Sequence, residues 1–310
     1  MNILVTGGSG YIGSHVCKQL ALNDFNPITF DNLSRGNRWS IKWGPIEVGD
    51  LLDPNRLKEI IGKHKPSAVM HFAALAYVGE SVSKPYLYYH NNVCGTLNLL
   101  NAMKDADITN IIFSSTCSTY GIPDRVPIQE IDPQNPINPY GASKLMIERI
   151  LDDYNIAFDL NSISLRYFNA VGYDVKNRVS TPEKDPQNLF PIIMEVLSGE
   201  RESMDVYGND YDTPDGTCIR DYIHVNDLSV AHVKALTYLV EKKESLCVNL
   251  GTGSGYSVLE AIKSAESIVG KKVNFNISGR REGDPQSLFA KSSLANELLD
   301  WSPKYSSLET

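Results

Sequence analysis

The amino-acid sequence predicts a doubly wound α/β fold, a parallel sheet covered by helices on both faces, followed by a smaller C-terminal substrate domain. Three observations predict it. Short apolar runs alternate with amphipathic stretches through the first half of the chain, the pattern of βαβ units. A glycine-rich turn closes the first apolar run and opens the first helix. After Asn169 the alternation gives way to polar, turn-rich segments, which marks a second unit.

Asn2–Thr6 is a buried strand. Residues 12–22 form a helix, with Ile12, Val16 and Leu20 on one stripe. Residues 27–31 and Ile46–Val48 are strands two and three, 57–63 a helix, 68–72 a strand and 91–104 a helix. Asn110–Ser114 is a strand, 140–154 a helix and 162–167 a strand. Residues 175–188, polar and interrupted by Pro182 and Pro186, read as a loop, and 207–216 are dense in turn residues. A helix over 225–241, a strand over 247–250 and a helix over 257–269 complete the pattern. The expected layout is a cofactor-binding domain over 1–169, to which 221–251 return, and a substrate domain over 170–310.

The composition bounds the function. With 310 residues, 42% hydrophobic and 21% charged, the chain is globular, not disordered or fibrous. Its 29 Lys and Arg against 37 Asp and Glu give a net charge of −8, which disfavours nucleic acid as a partner. Five scattered cysteines, none at CxxC spacing, predict a reduced chain with no metal site. The N-terminal Met-Asn-Ile-Leu-Val-Thr-Gly lacks a basic n-region, and no apolar run reaches the ~18 residues of a membrane span. The expectation is a cytoplasmic protein with no membrane partner.

The chemistry starts at Gly7-Gly8-Ser9-Gly10-Tyr11-Ile12-Gly13, which fits both GxGxxG and GxxGxxG between a strand and a helix. Glycines there tighten the turn and let backbone N–H groups approach a pyrophosphate at the helix N-terminus. Strand two ends in Asp31, 18 residues after Gly13. A carboxylate at that point accepts from ribose hydroxyls and repels a 2′-phosphate, which favours NAD over NADP, with Arg35 and Arg38 close by as a counter-signal. Tyr140 and Lys144 stand at i and i+4 of a helix and share one face. The ammonium favours the phenolate and so lowers the tyrosine pKa from its ordinary ~10. Ser114-Ser115-Thr116 ends an apolar strand, at the edge of a sheet where ligands bind, and Thr116 there can hydrogen-bond the same substrate oxygen as Tyr140.

With these residues in view, the sequence resembles the extended short-chain dehydrogenase/reductase family over nearly its whole length. Further segments are similar to the UDP-hexose 4-epimerases within it: Phe30-Asp31-Asn32-Leu33-Ser34, Gly49-Asp50-Leu51, His71-Phe72-Ala73-Ala74, Asn91-Asn92-Val93 and Arg166-Tyr167-Phe168-Asn169. In the second half they are Tyr207-Gly208-Asn209-Asp210-Tyr211, Asp215-Gly216-Thr217, Arg220-Asp221-Tyr222 and Arg281-Glu282-Gly283-Asp284. The resemblance implies a Rossmann-like fold and bound NAD. Gly7, Gly10, Tyr11, Ile12, Gly13, Asp31, Asn32, Asp50, Leu51, Phe72, Ala73, Ala74, Asn91, Ser114, Tyr140, Lys144 and Tyr167 would hold the cofactor, with Asp50 and Leu51 at the adenine. Thr116, Tyr140 and Lys144 would be the catalytic set. Besides Thr116 and Tyr140, residues Asn169, Asn188, Leu189, Tyr207, Arg220, Val258, Arg281, Asp284 and Leu288 would grip a UDP-sugar, arginines on the diphosphate and the carboxylate on ribose.

The same resemblance separates relatives. Nucleotide-sugar 4,6-dehydratases place Asp-Glu after the threonine, and UDP-glucuronate decarboxylases a Glu at the second of those positions; here stand Cys117 and Ser118. A 4-epimerase needs neither acid. One departure is Ala76, where many members carry a lysine that contacts the cofactor. The implied activity is UDP-glucose/UDP-galactose 4-epimerisation by a homodimer. A UDP-N-acetylhexosamine or UDP-pentose substrate stays open as an alternative, and so does a catalytically silent NAD-binding regulator. Leu288, where a tyrosine would fill the space near sugar C2, implies room for an N-acetyl group.

Overall fold

The computed structural model describes residues 1–179, 186–281 and 284–309; Pro182 of the predicted loop and the Glu282-Gly283 pair lie outside the described residues. In chain order, β1 (Asn2–Thr6) leads to α1 (Tyr11–Ala21), β2 (Asn26–Asp31), β3 (Ile46–Val48), α2 (Pro54–His64) and β4 (Ala68–His71). Two short helices, α3 (Val78–Ser83) and α4 (Pro85–Tyr88), run through a π-helical turn at Tyr89–Cys94 into α5 (Gly95–Lys104). Then come β5 (Asn110–Ser114), α6 (Pro139–Phe158) and β6 (Asn161–Tyr167). The second half holds β7 (Asn169–Val171), α7 (Leu189–Ser198), β8 (Met204–Tyr207), β9 (Ile219–Arg220), β10 (Tyr222–His224) and α8 (Val225–Lys242). It ends with β11 (Leu246–Leu250), β12 (Tyr256–Ser257), α9 (Val258–Val269), β13 (Phe275–Ser278), β14 (Ser287–Leu288) and α10 (Ser293–Leu299).

Seven strands form one parallel sheet in the order β11-β6-β5-β4-β1-β2-β3. The period-2 alternation of the central strands feeds two cores, which is why β1, β4 and β5 are apolar on both faces. Ile3 and Val5 of β1 face α1 and α8 with Val16, Leu20, Leu228 and Leu236. Leu4, between them, faces α2, α5 and α6 with Leu57, Leu99, Ile147 and Leu151. Residues 246–250 thus lie in the sheet beside β6, and Ala295, Leu299 and Trp301 join the core under α8. A separate cluster of Ile193, Val196, Met204, Val206 and Ile262 packs α7, β8 and α9 together.

The strands outside the large sheet escape sequence pattern because they are two to four residues long and pair with distant partners, β8 with β13 and β9 with β12 and β14. The helix expected over 91–104 begins as the π turn. The wider turn coincides with Asn92, whose side chain bonds the Leu75 N–H and C=O at 2.9 and 3.0 Å; such turns recur at functional sites.

Candidate active site

The carboxyl ends of β1, β2 and β4 open onto a cleft lined by Gly7, Gly10, Asp31, Asn32, Asp50, Leu51, Phe72, Ala73, Ala74 and Asn91. Gly7 has φ +72°, and a Cβ on it would lie 2.6 Å from the Ala73 amide nitrogen, so only glycine fits this turn. A Cβ on Gly13 would lie 2.3 Å from the Gly7 carbonyl. Helix α1 has Gly10 at its N-cap, with no side-chain cap and no acid in its first turn, so the positive end of its dipole faces the cleft uncompensated by a carboxylate of its own first turn. Asp31 is fixed by the Ser9 N–H at 3.0 Å and the Leu33 N–H at 2.8 Å. Arg35, the counter-signal, donates to Glu80 at 2.9 Å and lies over the Tyr77 ring. The donor set suits a dinucleotide with a free ribose diol: a cradle closed to side chains, an uncompensated helix N-terminus and a held carboxylate. Tyr11 donates its hydroxyl to the Gly172 carbonyl, and Asn32 bonds Asp50 at 2.8 Å.

The Thr116, Tyr140 and Lys144 set comes together at the end of β5. A Cβ on Gly141 would lie 2.4 Å from the Ser118 carbonyl, so the first turn of α6 sits directly on the turn after Thr116. Thr116 caps that turn, accepting from Ser118 N–H at 3.2 Å. Lys144 is buried, donates to the Ser114 carbonyl at 2.7 Å, and lies 4.8 Å from the Phe113 ring centroid and 6.0 Å from that of Tyr140. The Ser114 hydroxyl hydrogen-bonds the Tyr167 hydroxyl.

Burial pushes the Tyr140 phenol well above its ordinary value, and Tyr167 adds to this, while Thr116 pulls the other way. The same burial pushes Lys144 down to about 7, opposed by Glu148. The expected lowering of the Tyr140 pKa by Lys144 is therefore outweighed within the protein alone, because both groups lose water together.

On the substrate side, β9 lies between β12 and β14 and brings Arg220 within 3.0 Å of Asp284. Arg281 stacks 4.0 Å from the Tyr207 ring centroid. Leu189 and Val258 pack at the margin of the α7–α9 cluster, and Asn188 caps α7. Asn169 N–H donates to the Asp221 carbonyl, and Asp221 N–H to the Leu288 carbonyl, so β7 and β14 flank the Arg220 segment. Leu288 is buried with Cys117, Tyr120, Ile128, Phe168 and Ala290, which joins the substrate strands to the turn after Thr116. Ile12 lies against the first core. Sequence reasoning missed Asn92 as the residue that fastens the Ala73–Leu75 edge of the cleft to Ser143 of α6. Its signal was its place beside Asn91 at the start of a helix.

The chain matches the NAD dependent epimerase/dehydratase family over residues 3–251. It is 48% identical over 304 residues to a UDP-glucose 4-epimerase of Rhizobium meliloti (strain 1021), covering 98% of this chain and 93% of that one. Among solved structures, UDP-glucose 4-epimerase from Brucella ovis in complex with NAD superposes with a TM-score of 0.97 at 48% identity, covering 99% of this chain and 95% of that one. The enzyme from Bifidobacterium longum in complex with NAD+ and UDP gives 0.95 at 39% identity, with 100% and 95% covered.

Proposed function

The chain belongs to the NAD dependent epimerase/dehydratase family, and from that premise we propose that it is a UDP-glucose 4-epimerase. The observation that carries the reading is the Thr116–Tyr140–Lys144 set beside the glycine-loop cleft, followed by Cys117 and Ser118 in place of an acid pair. NAD would be held by the Gly7–Gly13 turn at its diphosphate, Asp31 at its adenosine ribose and Lys144 at its nicotinamide ribose. When bound, it supplies a cationic ring that accepts the sugar C4 hydride and gives it back. Tyr140 takes the proton of the 4-hydroxyl and later returns it. Thr116 would orient that hydroxyl with its own side-chain hydroxyl, and Lys144 steadies negative charge on the phenol oxygen. Arg220 and Arg281 hold the diphosphate while the 4-keto sugar turns over. No water or external reductant enters, so redox is neutral over the cycle.

Residues 1–169 with 221–251 form the cofactor unit in this reading, and the rest the UDP-sugar unit. The packing of Ala295, Leu299 and Trp301 under α8 argues for counting α10 with the first unit. The homodimer implied by the resemblance is part of the proposal, and a half-buried apolar groove along α6, lined by Val93, Ala142, Leu145, Met146 and Ile150, is a face on which a second copy could pack. No described helix is long and apolar enough to cross a membrane.

A discontinuous assay that incubates the protein with UDP-galactose and separates the UDP-glucose formed by chromatography tests the activity. Steady turnover without added cofactor supports it, and a purified protein that retains NAD yet leaves UDP-galactose unchanged refutes it. A second reading, activity on the N-acetylated pair as well, rests on Leu288 beside Cys117. Leu288→Tyr should then lose kcat/KM selectively on UDP-N-acetylgalactosamine.

A further inference from the structure

Behind the catalytic set lies a buried ion pair that the epimerase reading leaves without a task. Glu148 stands on α6 four residues after Lys144 and eight after Tyr140, on one stripe of the helix. Its carboxylate accepts from the Ser115 hydroxyl, from Arg166 Nε at 3.0 Å and Nη2 at 2.7 Å, and from Gln134 Nε2 at 3.1 Å. Arg166, on β6, turns Nη1 to the Tyr120 hydroxyl at 2.8 Å and to the Glu130 carbonyl at 3.2 Å. Tyr120 in turn donates to Asn249 Oδ1 at 2.8 Å. Both charged side chains are 5% exposed, so each is compensated almost wholly by the other and by these bonds.

Two of the bonds straddle Thr116. Ser115 precedes it, and Tyr120 closes the Cys117–Thr119 turn that follows it. The pair therefore grips the 115–120 segment at both ends and ties it to the helix that carries Tyr140. Relative to packed apolar side chains a buried ion pair adds little net stability. A fully satisfied buried network does impose one arrangement on the elements it joins. Here that arrangement includes the spacing of Thr116 and Tyr140, which come from different elements: Thr116 caps the turn on which the first turn of α6, carrying Tyr140, is packed.

We propose that Glu148 and Arg166 are positioning residues that act through Ser115 and Tyr120 to hold Thr116 against the Tyr140 hydroxyl, an inference that rests on the epimerase reading. Removing either charge would strand the other in the interior, so the test uses Ser115→Ala and Tyr120→Phe, which cut the two links and leave the pair intact. Misplacement of a reacting group by ~1 Å can cost ~10²-fold, and a loosened Thr116 should cost about tenfold in kcat. KM for UDP-galactose and the affinity for UDP should stay unchanged. The decisive measurement repeats Ser115→Ala in a Thr116→Val background, where the link has nothing left to position and kcat should fall no further. An unchanged kcat in both single variants overturns the proposal, and so does a Ser115→Ala loss that persists undiminished beside Thr116→Val. If the wild type does not epimerise UDP-galactose, the epimerase reading itself fails; an active wild type with unaffected single variants removes only the positioning role.

Discussion

Cofactor choice can be tested at Asp31 and Glu80 together. Asp31 ends β2 at the cleft, and its carboxylate is aimed by the Ser9 and Leu33 N–H groups. A charge-assisted hydrogen bond from it to a ribose hydroxyl is worth about 1.5–3 kcal/mol, or about 10- to 150-fold in affinity. Asp31→Ser should weaken NAD by that factor. It should gain little NADP, because the nearby cation is engaged: Arg35 donates to Glu80 at 2.9 Å. That pair is cheap to break, since the Arg35 side chain is 49% exposed and such surface pairs contribute about 1 kcal/mol or less. Glu80→Gln releases Arg35 and keeps an oxygen to accept the Tyr88 hydroxyl, which now donates to Glu80 at 3.1 Å. In the Asp31→Ser/Glu80→Gln protein the freed guanidinium can reach a 2′-phosphate, and NADP should bind about tenfold or more tighter than in Asp31→Ser alone. Isothermal titration of cofactor-stripped protein with NAD and NADP reads all three numbers. If Asp31→Ser alone binds NADP as tightly as the double variant, Arg35 is not restrained by Glu80. Equal binding of NAD and NADP by the wild type removes the Asp31 argument altogether.

Three further outcomes follow from the site. Tyr140→Phe removes the proton-transfer group and keeps the ring, so kcat should fall by about 10²–10⁴ with NAD still bound; near-normal turnover would sink the mechanism. Arg281→Ala should weaken UDP binding by about 1.5–3 kcal/mol with an unchanged Tm, whereas Arg220→Ala should also lower Tm because it leaves Asp284 without its partner; calorimetric titration and thermal melts separate the two, and unaltered UDP affinity in both would assign these arginines to structure. Asp174 titrates well below the usual carboxylate range, because Arg178 donates to it through its backbone N–H, Nε and Nη2 and Lys18 donates as well, against the opposing effect of burial. Its folded pKa is depressed, so its contribution is whole above the ordinary 3.8 and fades as pH falls toward the folded value. Asp174→Asn should lower Tm at pH 7, with the gap to wild type narrowing below pH 3.8; a gap that stays constant with pH contradicts this.

The first unit was legible because its signals are local and repeated. The central strands β1, β4 and β5, buried on both faces, read as short apolar runs, and the glycine turn, Asp31, and the Tyr140–Lys144 pair sit within a few residues of the elements that position them. The substrate side was legible only by resemblance. Arg220 and Asp284 are 64 residues apart and meet through two-residue strands whose pairing no periodicity announces. The helices at Val78–Ser83 and Pro85–Tyr88 are too short for a 3.6-residue stripe, and Pro85 reads as a breaker although it serves as the first residue of a helix. Glu148 was written in the stripe Tyr140, Lys144, Glu148, but a carboxylate on a helix is an ordinary surface residue until β6 brings Arg166 against it.

What no spacing rule could supply is the direction of the charge balance at the site. Tyrosine and lysine one turn apart suggest a phenolate stabilised by an ammonium, an argument that holds where water screens nothing else away. In the folded protein the dominant change is the loss of that water. It raises Tyr140 and lowers Lys144 to about 7, so burial favours the neutral form of each. The opposing contributions come from residues outside the pair: Thr116, which lowers the phenol, and Glu148, acting on the ammonium. Burial thus opposes charge on both groups at once, which the helical spacing of Tyr140 and Lys144 alone does not reveal.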